Sequence, residues 1–298
     1  MKISVQDLEN EPREDGNFMG LPPEFSGAHS KFVVIPVAYD AGTASRAGAG
    51  PQAMIDASRH MELFDVEIGR GACEAGIHTG KKHIAGRSAF KSLYETIHTE
   101  VGQAMDVGKI PVLLGGGNAI TVPAVHAALE RRPGLTVLHL DAHANLRNAY
   151  GGDQWHCSCS MRRILSLADR PPLIVQAGVR SASSEEWALA VHSRSVETFL
   201  AREILSEKIA FSQVVKHIEG PVYVSIDLDV FDPAAVPGVA APEPGGLAWG
   251  WVVELLAAVA EKKQIAGFDV VGLCPIAGQN LSEMFAAKLV YRIMGLMV

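Results

Sequence analysis

The sequence predicts an α/β fold in which a mostly parallel sheet is covered by helices on both faces. Two observations lead to this prediction: short apolar runs rich in β-branched residues recur along the chain, and helical patterns lie between them. Because each run is apolar on both faces of a strand, it is typical of a strand buried between two helical layers. The 298 residues, 48% hydrophobic and 20% charged, exclude a disordered or collagen-like protein.

Six apolar runs are the candidate strands, and the segment FKSLYETIHTEVGQAMDVG is the clearest helix between them. Its apolar residues recur at every fourth position, and Gly108 provides a stop. The candidate strands are FVVIPV from Phe32, IPVLLG from Ile110, LTVLHLD from Leu135, PLIVQAGV from Pro172, PVYVSIDLDV from Pro221 and IAGFDVVGL from Ile265.

Two regions follow from the pattern along the chain. Residues 1–30 are polar and rich in Glu, Pro and Gly. Their apolar residues show neither the two-residue period of a strand nor the 3.6-residue period of a helix, so residues 1–30 are interpreted as an N-terminal arm. Residues 31–298 contain no linker composition and no internal repeat. We expect them to form a single domain, in which the glycines Gly42, Gly48 and Gly50 punctuate the loop after the first strand.

Charge, cysteine content and hydropathy exclude several classes of partner. The formal charge of −7 and the pI of about 5.9 provide no basic surface, so nucleic acid is not expected as a ligand. Four cysteines without a CxxC pair fit a reducing compartment. The N-terminus is charged where a signal peptide would be apolar, and no run approaches 18 uninterrupted apolar residues. A cytoplasmic protein without membrane spans is expected.

Polar side chains follow two of the candidate strands. Asp141 and His143 come after LTVLHL, and Asp227 and Asp229 come after PVYVSI. Residues two apart share a face of a strand, so the four groups converge if the strands are neighbours. Carboxylates packed together repel one another unless a cation lies among them, which indicates a divalent metal site. The alternative interpretation is that the aspartates of DLDVFDP, Asp232 included, are turn and cap residues.

Several segments of the chain resemble the ureohydrolase family, which includes arginase, agmatinase, guanidinobutyrase and formimidoylglutamase. The resemblance extends over nearly the whole chain from residue 33 and is most specific in the long segment from Ser225. The segments are PVAYDAGTASRAGAGPQAM from Pro36, GGGNAIT from Gly115, DAHANLR from Asp141, His156 in QWHCS, QAGVRS from Gln176, SIDLDVFDPAAVPGVAAPEPGGL from Ser225 and DVVGLCP from Asp269.

The resemblance implies a three-layer arginase-like fold with an eight-stranded sheet, assembled as trimers or hexamers. It also implies two metal ions that share a hydroxide, but the chain departs from that pattern. The family's GGDH is GGGN and its DAHxD is DAHAN, so Asn118 and Asn145 replace two of the first metal's four ligands. Asp141, His143, Asp227 and Asp229 match the complete set for the second metal. At most one Mn²⁺, Ni²⁺ or Zn²⁺ per chain is expected, and none if the centre is fully degenerate.

Two further positions concern the substrate. The family's carboxylate in DVVEVxP, which pairs with a guanidinium group, is Gly272 here, and its GTGTP stretch is GVAAP. Losing a charge-assisted hydrogen bond costs about 1.5–3 kcal/mol, so a guanidinium substrate is expected to bind poorly. His156 matches the family's proton-transfer histidine. In this chain, its proton-transfer role is either vestigial or still active. The remaining histidines, His98, His126 and His139 among them, show no ligand spacing and are interpreted as ordinary.

Three functions remain open. In the first, the chain is a pseudoenzyme that assembles with a catalytic ureohydrolase paralogue into a heteromer acting on a guanidino or biguanide substrate; metformin hydrolase is the family precedent. In the second, it is an active hydrolase with a single metal and His156 as acid or base. In the third, it is a metal-free ligand-binding or regulatory module in which Asn118 and Asn145 hydrogen-bond the aspartates.

Overall fold

The computed structural model describes residues 5–9, 12–40 and 46–298. Gly42 and the rest of residues 41–45 lie outside the described residues, as do residues 1–4, 10 and 11 of the predicted arm. The described residues contain nine strands: β1 (Phe32–Asp40), β2 (Ile77–Thr79), β3 (His83–Gly86), β4 (Ile110–Gly115), β5 (Thr136–Leu140), β6 (Leu173–Val179), β7 (Val196–Leu200), β8 (Val222–Asp227) and β9 (Ile265–Val271).

The strands form one sheet in the order β2-β1-β4-β9-β8-β5-β6-β7, and β3 pairs with the second half of β1. Every pairing between these strands is parallel. The predicted α/β class is confirmed, and so are all six candidate strands. Eight strands follow one another across the sheet, as expected, and β3 is a ninth strand that pairs with β1.

Helices surround the sheet. The predicted helix is α4, and Gly108 follows it with a φ of +75°, a left-handed conformation that glycine adopts without strain. The α-helices are α1 (Val5–Leu8), α2 (Pro23–Ser26), α3 (Gly50–Ser58), α4 (Phe90–Asp106), α5 (Thr121–Arg131), α6 (Ser160–Ile164), α7 (Ser184–His192), α8 (Ala201–Leu205), α9 (Phe211–His217), α10 (Trp249–Lys262) and α11 (Leu281–Leu296). Short 3₁₀ turns lie at Phe18–Gly20, Ala47–Ala49, Ala72–Ala75, Arg87–Ala89, Asn118–Ile120, Cys157–Cys159 and Leu228–Val230.

The sheet divides the hydrophobic core into two layers. Along β4, Val112 and Leu114 contribute to one layer and Leu113 to the other, because successive side chains point to opposite faces. The first layer packs against α3, α9, α10 and α11, and the second packs against α4, α5 and α6. Burial on both faces explains why these strands are apolar at nearly every position.

The described part of the N-terminal segment packs on the domain. Phe18, Met19 and Leu21 are fully buried in the first core layer, and the Met19 amide donates to Ser58 Oγ at 2.7 Å. The boundary at residue 31 stays a prediction. Among the described residues, no helix is long and apolar enough to cross a lipid bilayer.

Candidate metal centre

The predicted site residues lie where four neighbouring strands end. In the sheet, β4, β9, β8 and β5 are consecutive, and their carboxyl ends meet at one edge, where ligands of open α/β sheets bind. This edge opens into a cavity of about 590 Å³. The candidate residues that line it are Asn118, His143, Asn145, His156, Asp227, Asp229 and Gly272.

Asp141, directly after β5, is completely buried and accepts four hydrogen bonds. Its Oδ2 accepts from Asn118 Nδ2 at 2.9 Å, from Asn145 Nδ2 at 2.6 Å and from His139 Nε2 at 2.9 Å. Its Oδ1 accepts from the backbone amide of His143 at 2.6 Å. The two asparagines therefore direct N–H donors at the carboxylate from positions where the resemblance implies metal ligands.

Asn145 occupies a conformation that suits its residue type. Its φ is +53°, in the left-handed region that asparagine and aspartate visit more readily than other residues with a Cβ atom. The backbone carbonyl of Asn145 accepts from Met161 and Arg162, at the start of α6. These contacts hold the turn that places the Asn145 amide group against Asp141.

His139 is a site residue that sequence analysis treated as ordinary. Gln176 Nε2, on the neighbouring β6, donates to His139 Nδ1 at 2.9 Å and also to the Ala144 carbonyl. This leaves the His139 Nε2–H to donate to Asp141. The available signal was its place two residues before Asp141, which puts both side chains on one side of the strand.

His143 lies between the carboxylates of Asp141 and Asp229. Its Nδ1 is 2.8 Å from Asp229 Oδ2 and 3.4 Å from Asp141 Oδ1. These three residues can each offer one ligand atom, with all three atoms within 4.8 Å of one another. The structure thus brings together three of the four predicted ligands of the second metal.

Asp227 stands apart from this group of three. Its Oδ1 accepts from the Asp229 backbone amide at 3.1 Å, as in a helix-capping turn. Asp229 Oδ1 in turn accepts from the Ala142 amide at 2.9 Å. Sequence analysis gave two interpretations of these aspartates, as cap residues and as metal ligands. The structure contains the capping contact of Asp227 as well as the group of three possible ligands.

The two ends of the centre differ in charge. Burial raises the pKa of Asp141, but interactions with His139 and His143 outweigh burial and hold that pKa well below its usual range. Burial, Asp229 and Asp141 raise the pKa of Asp227 well above its usual range. Burial and Asp141 raise the pKa of Asp229 to about 6. Without a cation, Asp141 therefore releases its proton more readily than Asp227.

Gly272 follows β9 with a φ of +85° and lies against Asp227. A Cβ atom at this position would lie 2.1 Å from Asp227 Oδ1 and 2.7 Å from its Cγ. Asp227 therefore occupies the space into which a side chain at position 272 would extend. The family's carboxylate could enter here only if Asp227 moved.

His156 lines the cavity at the start of a 3₁₀ turn. Its Nδ1 is 2.8 Å from Ser158 Oγ, and its ring lies against Tyr150 with centroids 4.4 Å apart. Burial, with help from Arg87 and Arg147, lowers its pKa although Asp153 raises it. His156 is a neutral imidazole at neutral pH, and its proton-transfer role stays a prediction.

The fold and the strand-end site agree with comparisons to known proteins. The sequence profile of the Arginase family matches residues 30–295. The chain belongs to the arginase family. It is 36% identical over 271 residues to N(1)-aminopropylagmatine ureohydrolase of Thermus thermophilus, covering 90% of each chain. It is 31% identical to agmatinase of Pyrococcus horikoshii over 89% of this chain and 91% of that protein.

A solved structure gives the same result for the fold of this arginase-family chain. Proclavaminate amidinohydrolase from Streptomyces clavuligerus superposes with a TM-score of 0.83 and 27% identity, covering 96% of this chain and 99% of that chain. The chain is thus an agmatinase-like ureohydrolase by sequence and fold.

The first metal position of this arginase-family chain lacks the His and the Asp that the resemblance implies as ligands, and has Asn118 and Asn145 there. An amide nitrogen is a hydrogen-bond donor without a lone pair to offer a cation, and both asparagines already donate to Asp141. A single ion fits the second position, where Asp141, His143 and Asp229 converge.

Proposed function

We propose that this chain is a non-catalytic ureohydrolase subunit that assembles with a catalytic arginase-family paralogue. The heteromer would hydrolyse a C–N bond of a small guanidino or biguanide substrate, as an agmatinase or a metformin hydrolase does. A cytoplasmic trimer or hexamer is the expected assembly. Metal content, oligomeric state and substrate are part of this proposal.

The hydrogen bonds of Asn118 and Asn145 to Asp141 carry the proposal. In a two-metal centre the Asp141 carboxylate would be neutralised by cations; here one of its oxygens accepts three N–H groups. Buried carboxylates need such partners, and three donors satisfy that oxygen without an ion. The chain thus keeps the carboxylate and replaces the first metal by side chains.

Gly272 supports the same proposal from the substrate side. The cavity has no carboxylate at position 272, and the GVAAP segment presents Val239, Ala240 and Ala241 to it. An apolar wall contributes no charge-assisted hydrogen bond to a guanidinium group. The substrate would therefore bind at the paralogue's site.

The experiment compares the chain alone with the chain co-expressed beside an arginase-family paralogue that keeps the His and Asp missing at positions 118 and 145. Hydrolysis of agmatine, guanidinobutyrate and metformin is measured with Mn²⁺, Ni²⁺ and Zn²⁺. We expect turnover only for the co-purified complex. Turnover by the chain alone, at an ordinary enzyme rate of about 1 s⁻¹ or more, would overturn the proposal.

A second candidate is a hydrolase with one metal ion. The convergence of Asp141, His143 and Asp229 favours it, with Asp227 as a fourth ligand and His156 as the group that moves a proton. Four protein ligands leave little room for a reactive water, since catalytic zinc usually has three. Abolished turnover in a folded Asp229→Ala variant would support this candidate, and unchanged turnover would exclude it.

A further inference from the structure

A second group of metal-type side chains lies on the outer helical layer, away from the cavity at the strand ends. His98 is on α4, and His126 and Glu130 are on the adjacent α5. His126 and Glu130 are four residues apart, so they lie on the same face of α5 one turn apart. None of the three lines the cavity described above.

The three side chains are close enough to share one ion. Each can offer one ligand atom, and these atoms all lie within 4.8 Å of one another. His98 Nε2 is 3.2 Å from Glu130 Oε2, and His126 Nε2 is 3.9 Å from Glu130 Oε1. The centroids of the two imidazole rings are 4.6 Å apart. Two histidines in contact repel each other when both are protonated, whereas a shared cation favours both neutral rings.

Tyr94 orients one of these histidines. Its Oη is 2.8 Å from His126 Nδ1. Burial raises the pKa of Tyr94 to about 12, so the phenol stays protonated and neutral. When Nδ1 donates its hydrogen to Tyr94 Oη, the lone pair of Nε2 faces His98 and Glu130. Metal-binding histidines usually have such a partner on the ring nitrogen that does not bind the ion.

The other contacts of these side chains leave His98 Nε2 and Glu130 Oε1 able to bind an ion. His98 Nε2 is shielded from solvent and lies 3.2 Å from Glu130 without a hydrogen bond. Arg131 Nη1 donates to Glu130 Oε2 at 3.1 Å, but Glu130 Oε1 lies on the His126 side.

We propose that His98, His126 and Glu130 bind a divalent transition-metal ion of the zinc type. Two imidazoles and one carboxylate form a set of three protein ligands, which Zn²⁺ completes with water. Nitrogen donors favour Zn²⁺, Ni²⁺ or Cu²⁺ over Mg²⁺, which prefers oxygen. Such an ion would be additional to any metal at the candidate centre and would correct the expectation of at most one metal per chain.

The ion would join α4 to α5 and fix the position of Tyr94. The Tyr94 ring also contacts Trp155, with centroids 5.7 Å apart, and Trp155 precedes His156 in the cavity loop. The proposed site is therefore one side chain away from the loop that carries His156. The proposal does not depend on whether the chain is catalytic.

Zinc binding to the full chain tests the proposal, with Asp229→Asn as background so that the candidate centre does not contribute. After removal of metal with a chelator, calorimetry at pH 7.5 should show one Zn²⁺ per chain and no binding of Mg²⁺. His126→Ala should weaken zinc binding at least ten-fold, and Tyr94→Phe, which keeps the ring, about ten-fold. His217→Ala, an exposed histidine on α9, is the matched control and should not change affinity.

Equal zinc affinity in the Asp229→Asn chain with and without His126→Ala would overturn the proposal. Because Asp229 is buried and its variant could fail to fold, a second measurement uses the unmodified chain. Crystals equilibrated with Zn²⁺ and measured at the zinc absorption edge should show an anomalous peak between His98, His126 and Glu130. A map with zinc elsewhere and no peak there would also overturn it.

Discussion

Asp141 and Asp227 stand at the carboxyl ends of neighbouring strands and both are buried, yet their surroundings differ. Asp141 accepts hydrogen bonds from two asparagine amides, one imidazole and one backbone amide. Asp227 accepts the Asp229 backbone amide and faces two other carboxyl groups. The pKa of the first carboxyl group is held below its usual range, whereas the pKa of the second is raised well above it.

On the function proposed above, this difference is how a metal position is lost while the fold is kept. An asparagine side chain in place of a metal ligand can donate a hydrogen bond to the neighbouring carboxylate, where the original side chain would bind the metal ion. The replacement is complete around Asp141 and has no counterpart around Asp227. On that proposal, hydrogen bonds take the place of the first metal ion around Asp141, whereas Asp227 needs a proton or an ion.

The largest expected effect is the loss of the Asp141 charge. In Asp141→Asn, the new side-chain amide would direct its own N–H groups at the N–H groups that now donate to the carboxylate. His143 would also lose the negatively charged partner at position 141. We expect a loss of about 3–5 kcal/mol in the free energy of unfolding, measured with urea in the presence of a chelator. Asp227→Asn, the matched control, replaces a carboxyl group whose pKa burial, Asp229 and Asp141 raise well above its usual range, and it should cost less than about 1 kcal/mol. Equal losses for the two variants would contradict the comparison.

Gly272→Ala should come next, because the new Cβ would collide with Asp227. Overpacking costs about 1–3 kcal/mol and the left-handed backbone about 1–2 kcal/mol more. Gly134→Ala is the control: its φ is +76°, but nothing lies within 4 Å of its Cβ position, so only the backbone cost applies. Combining Gly272→Ala with Asp227→Ala should recover part of the difference, and additive losses would argue against the contact.

Asn118→Ala sharpens the comparison at a single hydrogen bond. It removes one of the three donors to Asp141 Oδ2, and we expect about 1–3 kcal/mol lower stability. Asn280→Ala, at an exposed position without a side-chain capping bond, should stay within about 0.5 kcal/mol of the unmodified chain. An Asn118→Ala loss as small as the control's would mean that water replaces this donor.

The last expected effect is a pH dependence of the metal-free chain. Asp229, with a folded pKa of about 6, and His143, with a folded pKa raised to about 11 by Asp141 and Asp229, bind protons more tightly when folded. Their stabilisation is complete below their unfolded pKa values and is lost as the pH rises. Urea midpoints should therefore fall between pH 6 and 9, and His143→Gln should flatten this slope. A midpoint that rises over this range would contradict the assigned charges.

Sequence patterns predicted the six long strands because burial on both faces makes them apolar throughout. They missed β2, β3 and β7, which lie at the edges of the sheet. In β3, for example, Ile84 is 76% exposed, so an apolar residue there does not mark a core strand. The edge strand VETFL of β7 mixes charged and apolar residues for the same reason.

At the site, the sequence predicted that Asp141, His143, Asp227 and Asp229 converge, because strand ends impose it; the structure brings Asp141, His143 and Asp229 together as possible ligands of one ion. It also offered the hypothesis that Asn118 and Asn145 hydrogen-bond Asp141 and Asp227. The structure confirms this for Asp141, whereas Asp227 accepts a hydrogen bond from the Asp229 backbone amide. The contact between Gln176 and His139 could not be predicted, because it depends on the register between β5 and β6. The metal-ligand roles of the four residues stay predictions.

The most direct test of the central claim is urea release from agmatine and guanidinobutyrate by the purified chain alone after saturation with Mn²⁺, Ni²⁺ or Zn²⁺. Metal bound per chain is counted in the same samples by elemental analysis, in a His126→Ala background that removes the proposed outer site. The account predicts no more than one ion per chain and no turnover. Turnover of about 1 s⁻¹ or faster by the chain alone, with one ion or with two, would contradict it.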